Sequence, residues 1–361
     1  MFKSKHYVPI LKWKRAEQGA LKALEEKHKK LITPVIQFVM PKQKTGDQMS
    51  NLVVRFEEQI LKIPENIVDV WGKTPIFLDF SLLFTIPLKA KGVNSILRGG
   101  LKLGASFIPV VYLNDEHEVK KVAYSFAKEN GGGMCLRLVC PDFSDLEKLN
   151  QNIKEFVSST SLAEKDIDIL VDIKEIEING DKFIKYLNLS QRIDNLSKWR
   201  TLTFASGAFP KDLSQCKIDE ENLIPRFDWK NWIEQINNEN FQRKPAFADY
   251  TIQHPIYIEA SQFFHPSTSI KYTLEDNWLI MKGKKQKFEL YLASAAELVK
   301  DTRFYGENFS DGDKYIAEKA RHFSAYIKKP AIKGTGSTET WLKAGINHHL
   351  ALTAHQIANS S

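Results

Sequence analysis

Charged side chains recur at alternate positions inside short apolar runs: Lys12 and Lys14 in YVPILKWK, Asp79 in PIFLDFS, Arg137 in MCLRLVC, Asp172 and Lys174 in ILVDIK, and Asp249 in AFADY. Lysine and arginine brought together clamp a phosphate or carboxylate, arginine bidentately and lysine as a compact charge. Aspartates beside them coordinate a hard cation such as Mg²⁺ or Mn²⁺, or act as general bases. The mixture suits metal-assisted hydrolysis of a phosphoester. Asp79, Asp172 and Asp249 would then be the catalytic carboxylates, and Lys12, Lys14, Arg137 and Lys174 the ligand-binding cations. It equally suits reversible binding of an anionic small molecule. A third reading needs no ligand: Lys12 or Arg137 pairs with Asp79 or Asp172 in a buried ion network.

Successive side chains on a strand point to opposite faces, so each run carries its charges on one face and its aliphatic residues on the other. Eight such strands are expected at about 7–14, 33–39, 75–81, 107–112, 134–140, 167–174, 201–207 and 246–251. Amphipathic segments such as AEQGALKALEEKHKKL and DEHEVKKVAYSFAKEN lie between them. Strands alternating with helices over about 250 residues predict a (β/α)8 TIM-like barrel. In that fold binding groups gather at the C-terminal ends of the strands, the half of each run where most of these charges sit. Trp13 alternates with Lys12 and Lys14 and is expected outside the lumen. No G-x-G-x-x-G follows the first strand, and the Gly131–Gly133 triplet reads as a helix stop.

After residue 260 the pattern changes. IKYTLEDNWLIMKG predicts a hairpin turning at Glu275–Asn277, followed by helical segments to the end of the sequence. The expected division is a barrel over 1–260 and a hairpin with a helical extension over 261–361, packed on the barrel. His254, just past the eighth strand, is placed for a role at the barrel mouth. His348 and His349 are adjacent, so on a helix they diverge by about 100°; a capping or packing role is the first reading, and one of them, His348, could instead reach into the site.

The chain has 361 residues, a net charge of +7 and three cysteines without a C-x-x-C pair. The basic excess favours an anionic partner, a small molecule or nucleic acid, while runs such as Lys27–Lys30 read as solvated faces. The cysteines fit a reducing compartment, and no stretch approaches the ~20 apolar residues of a membrane span. A soluble cytoplasmic protein is expected.

The segments YVPILKWKRAEQGAL, TPVIQF and IFLDFS, with FYGENFSDGDKYI and GSTETWLKAGINHHLALT near the end, resemble the phage-type beta protein family. The resemblance spans nearly the whole chain. It implies no established catalytic residues, because the family is largely uncharacterised. It does imply a setting, a bacterial phage-defence or mobile-element cluster, where a protein partner from the same cluster is expected. It draws attention to Lys12, Lys14, Arg15, Glu17 and Gln18 in the first segment, Asp79 in IFLDFS, Phe304, Tyr305, Gly306, Gly312 and Asp313 in the next, and Trp341, Gly345, Asn347, His348 and His349 in the last. Trp341 would dock a helix on the barrel, leaving Asn347 and His348 to bond a loop or line the ligand site. The function expected is therefore binding, with or without hydrolysis, of a phosphate-bearing ligand at the barrel mouth. The alternative is a non-enzymatic protein-recognition module with a degenerate barrel site.

Overall fold

The computed structural model describes residues 2–41, 46, 48–83, 86–176, 178, 180–258, 267–285, 287–330 and 334–360. Eight parallel strands form one sheet in chain order: β1 (Ile10–Lys12), β2 (Val35–Gln37), β3 (Ile76–Asp79), β4 (Phe107–Val111), β5 (Met134–Val139), β6 (Ile167–Glu175), β7 (Thr201–Gly207) and, after an intervening strand, β9 (Ala246–Ala248). The sheet curls back on itself. A parallel bridge joins Tyr7 to Phe247, and Val8 N and Ile10 N donate to the Phe247 and Asp249 carbonyls at 2.9 and 2.8 Å. All eight predicted strands are present, each within or close to its predicted bounds, and the fold is a (β/α)8 barrel.

Both faces of these strands are buried, as a parallel barrel requires. Outward residues such as Ile36, Leu78, Leu136, Val171 and Phe204 pack under the surrounding helices. Inward residues Val8, Ile10, Val35, Phe77, Ile108, Val110, Cys135, Leu170, Ala205, Ala246 and Ala248 fill the lower lumen. Trp13 lies outside, edge-on to Phe38 with ring centroids 6.5 Å apart. The His117–Asn130 helix ends where Gly131 takes φ 64°, a left-handed turn that glycine adopts without strain. Helix Leu146–Thr160 starts at Asp145, whose carboxylate accepts from Lys148 N at 3.0 Å, and Asp142 just before it accepts from Val139 N at 2.7 Å.

The hairpin forms as expected from β10 (Ser267–Thr273) and β11 (Asn277–Lys285). A third strand joins it. β8 (Glu221–Pro225), from the segment between the last two barrel strands, pairs antiparallel with β11, Trp278 opposite Ile224. The anticipated boundary at residue 260 falls outside the described residues. Helices Leu290–Leu298, Asp311–Lys328 and Thr338–Asn359 complete the extension. The last packs between the barrel helix Arg15–Lys22 and β10. A Cβ at Gly345 would stand 2.7 Å from the Lys271 carbonyl, so only glycine permits that helix to lie so close to the strand.

Candidate functional site: a cationic barrel mouth above a closed ion network

Arg137 occupies the centre of the upper lumen. Its side chain and those of Asp79 and Asp172 are 0% exposed. The guanidinium bonds Asp79 Oδ2 through Nη1, and Asp172 Oδ2 through Nη2 at 2.6 Å and Nε at 3.2 Å. Asp79 Oδ2 also accepts from Gln37 Nε2 at 3.1 Å and the Tyr112 hydroxyl at 3.0 Å, and Oδ1 accepts from Ser81 N at 2.8 Å. Asp172 Oδ2 takes the Tyr250 hydroxyl at 2.8 Å and Lys174 Nζ at 2.8 Å, while Oδ1 accepts from Lys174 N at 3.0 Å. Burial alone would raise both carboxyls. For Asp79 the Arg137 charge, and for Asp172 the Lys174 and Arg137 charges, overcome that and hold them below the ordinary carboxylate range.

Every oxygen of the two aspartates is thus engaged by protein donors. This donor set does not fit a Mg²⁺ or Mn²⁺ ion, and no group of three or more His, Cys, Asp or Glu among the described residues could hold a metal. Of the predicted lumen charges Asp79, Arg137, Asp172 and Lys174 converge, as a satisfied ion network with Arg137 as its hub. Asp79 and Asp172 have no face left for a reacting group.

Above this network lies a cleft of about 270 Å³ lined by Lys12, Lys14, Lys211, Lys271, Gln253, His254 and Tyr257, with Asp212 as its one carboxylate among the described residues. Lys12 sits at its floor, Nζ 5.1 Å from the Tyr250 ring centre and 3.4 Å from the His254 carbonyl. Lys14 reaches the Tyr257 hydroxyl at 2.9 Å. Lys271 Nζ donates to the Ile252 carbonyl at 3.3 Å, and burial pulls its pKa down to about 8. His254 Nε2 meets Glu175 Oε2 at 3.1 Å. Lys174, with φ 59°, and Thr251, with φ 58°, close β6 and follow β9 at this same end. Left-handed backbone is costly for such residues, the β-branched threonine above all, and strain of this kind concentrates at binding sites.

Three predicted site residues lie elsewhere. Asp249 faces outward, because Ala246, Ala248 and Tyr250 take the lumen positions of their strand. Its Oδ1 accepts from the Tyr7 hydroxyl at 2.5 Å and Thr251 N at 2.9 Å, and its Oδ2 meets His349 Nε2 at 2.8 Å. Asn347 is a strut between extension and barrel: Gly312 N donates to its Oδ1 at 2.8 Å, and its Nδ2 donates to the Ala20 carbonyl at 3.0 Å. His348 is fully buried between Asp313 Oδ2 at 2.8 Å and the Thr273 carbonyl at 2.7 Å. Trp341 stacks on Tyr291 within the extension, centroids 4.9 Å apart, and does not dock on the barrel.

Beside Asp249 two more buried charges complete a wall network. Arg226 donates to the Leu274 and Glu275 carbonyls, Gln356 and Thr353. Asp228 accepts from Trp229 N and Ala208 N, at 2.9 and 3.3 Å. Burial, then the nearby Asp249 charge, pushes its pKa up to about 7. Sequence reasoning missed Gln37, Tyr112, Lys211, Tyr250 and Lys271. Tyr112 and Tyr250 could have been found, since each follows a lumen residue by two positions.

The geometry defines a (β/α)8-barrel protein with a lysine-lined mouth and an extension packed on its side. The chain belongs to the Beta protein family, whose model matches residues 7–355. Among solved structures it is similar to two variants of the tryptophan synthase alpha-subunit from Pyrococcus furiosus, at 14% identity over 69% of this chain and 89% of theirs, each with a TM-score of 0.39. No curated protein sequence matches the chain. No helix among the described residues is long and apolar enough to cross a membrane.

Proposed function

We propose that the barrel mouth binds a phosphate-bearing ligand, a nucleotide or a nucleic-acid phosphate. The observation that carries this reading is the imbalance of the cleft wall: among the described residues Lys12, Lys14, Lys211 and Lys271 line it against the one carboxylate of Asp212. Low-dielectric walls lined by one sign of charge focus the field and concentrate counter-charged ligands. The ion network below serves as a rigid floor that fixes Tyr250 and Lys174 beneath the ligand. The proposal is binding and assigns no hydrolysis, because Asp79 and Asp172 are spent on Arg137 and Asp249 faces away from the mouth. The setting we propose, a phage-defence or mobile-element cluster, rests on the family likeness alone.

Titration calorimetry with pyrophosphate, ATP and a short single-stranded oligonucleotide tests the reading. The paired variant Lys14→Ala/Lys211→Ala should lose at least about tenfold in affinity, and binding should weaken with salt. Absence of binding by all three at millimolar concentration would overturn it. The alternative, a protein-recognition module, draws on Ile256 and Ile258 at the same rim, which are 46% and 58% exposed. A partner captured equally well by Lys14→Ala/Lys211→Ala and lost with Ile256→Ser/Ile258→Ser would favour that alternative.

A further inference from the structure

Lys12 differs from the other lumen cations. Arg137 and Lys174 each bond a carboxylate, whereas Lys12, only 2% exposed, has the His254 carbonyl at 3.4 Å as its hydrogen-bond partner and the Tyr250 ring beneath it. The charged groups around it are mostly of its own sign: Lys174 from β6, Arg137 from β5 and Lys14 two residues on. The acidic neighbour is Glu17, whose carboxylate accepts from Gln253 Nε2 at 2.8 Å and whose own pKa is raised by burial. Burial first, then the Lys174 charge, lowers the Lys12 pKa to about 8. A lysine placed this way holds a far larger neutral fraction near pH 7 than a solvated one, and neutral amines are nucleophiles. The amine also forms part of the lining of the lysine cleft, so an anion held there brings its substituents to this nitrogen.

We propose that Lys12 captures a carbonyl-bearing anion, a phosphorylated aldehyde or ketone, as a reversible imine at the barrel mouth. This rests on the anion-binding reading of the cleft and extends it to the ligand's second functional group. The neutral amine attacks the carbonyl carbon, forming the C–N bond as the C=O π electrons move to oxygen. That oxygen takes a proton and the nitrogen loses one, giving a carbinolamine. The C–O bond then breaks, the hydroxyl leaves with a second proton as water, and the C=N bond forms. No electrons are exchanged with any other reactant. Lys14, Lys211 and Lys271 would hold the anionic group while the bond forms.

The test uses the full chain with two probes, pyridoxal 5′-phosphate and pyridoxal, each followed by borohydride reduction and peptide mass spectrometry. With the phosphorylated probe at pH 7, Lys12 should label at least about tenfold faster than the median surface lysine, given the ordinary lysine pKa of ~10.4. Its rate should level off near pH 8, and pyrophosphate should suppress it. Lys12→Arg should abolish that adduct, with thermal unfolding of the variant checking that it folds. Labelling of Lys12 no faster than surface lysines, or a rate still climbing past pH 10, would overturn the proposal. If pyrophosphate binds but Lys12 stays unlabelled, the imine alone is lost and the anion site stands. Equal labelling by both probes, insensitive to pyrophosphate, overturns the coupling of the nucleophile to an anion site and the cleft reading with it.

Discussion

In the lumen, Asp79 and Asp172 share the Arg137 guanidinium and further donors, and both carboxyls stay ionised despite complete burial. Against the outer wall, Asp249 meets neutral or weakly basic partners in Tyr7 and His349, and Asp228 has two backbone N–H groups. An arginine is present there too. Arg226, however, spends its donors on carbonyls, an amide and a hydroxyl, and leaves Nε without a partner. Burial depth is the same in both regions. What separates the carboxylates is the partner: Arg137 and Lys174 hold the lumen pair as anions and the His349 charge with the His349 and Tyr7 bonds holds Asp249 low as well, while burial and the Asp249 charge drive Asp228 towards its neutral form.

The strongest way to break this contrast is to remove the hub. Arg137→Met leaves two buried carboxylates with only Lys174 as a cationic partner, and unpairing a buried ion of this kind costs about 3–5 kcal/mol. Urea unfolding at pH 7 should show that loss; a change below about 1 kcal/mol would mean the lumen network contributes no more than an exposed pair.

Opposite pH dependences follow from the same contrast. Asp228 titrates near 7 when folded and near ~3.9 when unfolded, so between those values the native state holds a proton that the unfolded chain releases. Its contribution is fully present below about pH 4 and is lost as pH rises to 7, with a limiting slope of about 1.4 kcal/mol per pH unit. Asp79 and Asp172 lie below their unfolded values, so their contribution is present above about pH 4 and disappears on acidification. Unfolding midpoints from pH 3 to 8 should rise less on acidification from 7 to 4 in Asp228→Asn than in the parent. A parallel curve for that variant would refute the assignment.

Asp249→Asn sharpens the comparison further. It keeps the shape but weakens two bonds, for an expected loss of about 1–3 kcal/mol. It also removes the charge that helps raise Asp228, so the pH dependence between 4 and 7 should shrink. Lys14→Ala should do least to stability, within about 0.5 kcal/mol, since the side chain is exposed. Its effect should appear instead as weaker pyrophosphate binding in the calorimeter.

Much of this architecture is legible in the sequence, because alternation reports faces directly. The eight barrel strands, the hairpin, the outward Trp13 and the convergence of Lys12, Asp79, Arg137, Asp172 and Lys174 all follow from it. Asp249 shows where the argument fails. In AFADY the charge suggests a lumen position, yet a crowded barrel interior also selects small side chains, and Ala246 and Ala248 supply them. Phe247, on the same face as Asp249, packs against Trp229 and Trp232 outside. The helix bearing Asn347 and His348 is buried around most of its circumference, so its pattern names no single face. β8 was missed because its partner, β11, lies some 50 residues further along the chain, where local pattern carries no signal.

That strand also has a consequence for taking the molecule apart. Glu221–Pro225 precedes the last barrel strand in the chain but completes the sheet of the C-terminal extension. A graft of the extension alone would carry a two-stranded hairpin with a bare edge, and a barrel cut after residue 258 would leave β8 unpaired in solvent. The separable cassette is therefore discontinuous: Glu221–Pro225 must travel with the C-terminal hundred residues, while the helix Phe227–Ile236 behind it, whose Trp229 and Trp232 pack on Phe247, stays with the barrel.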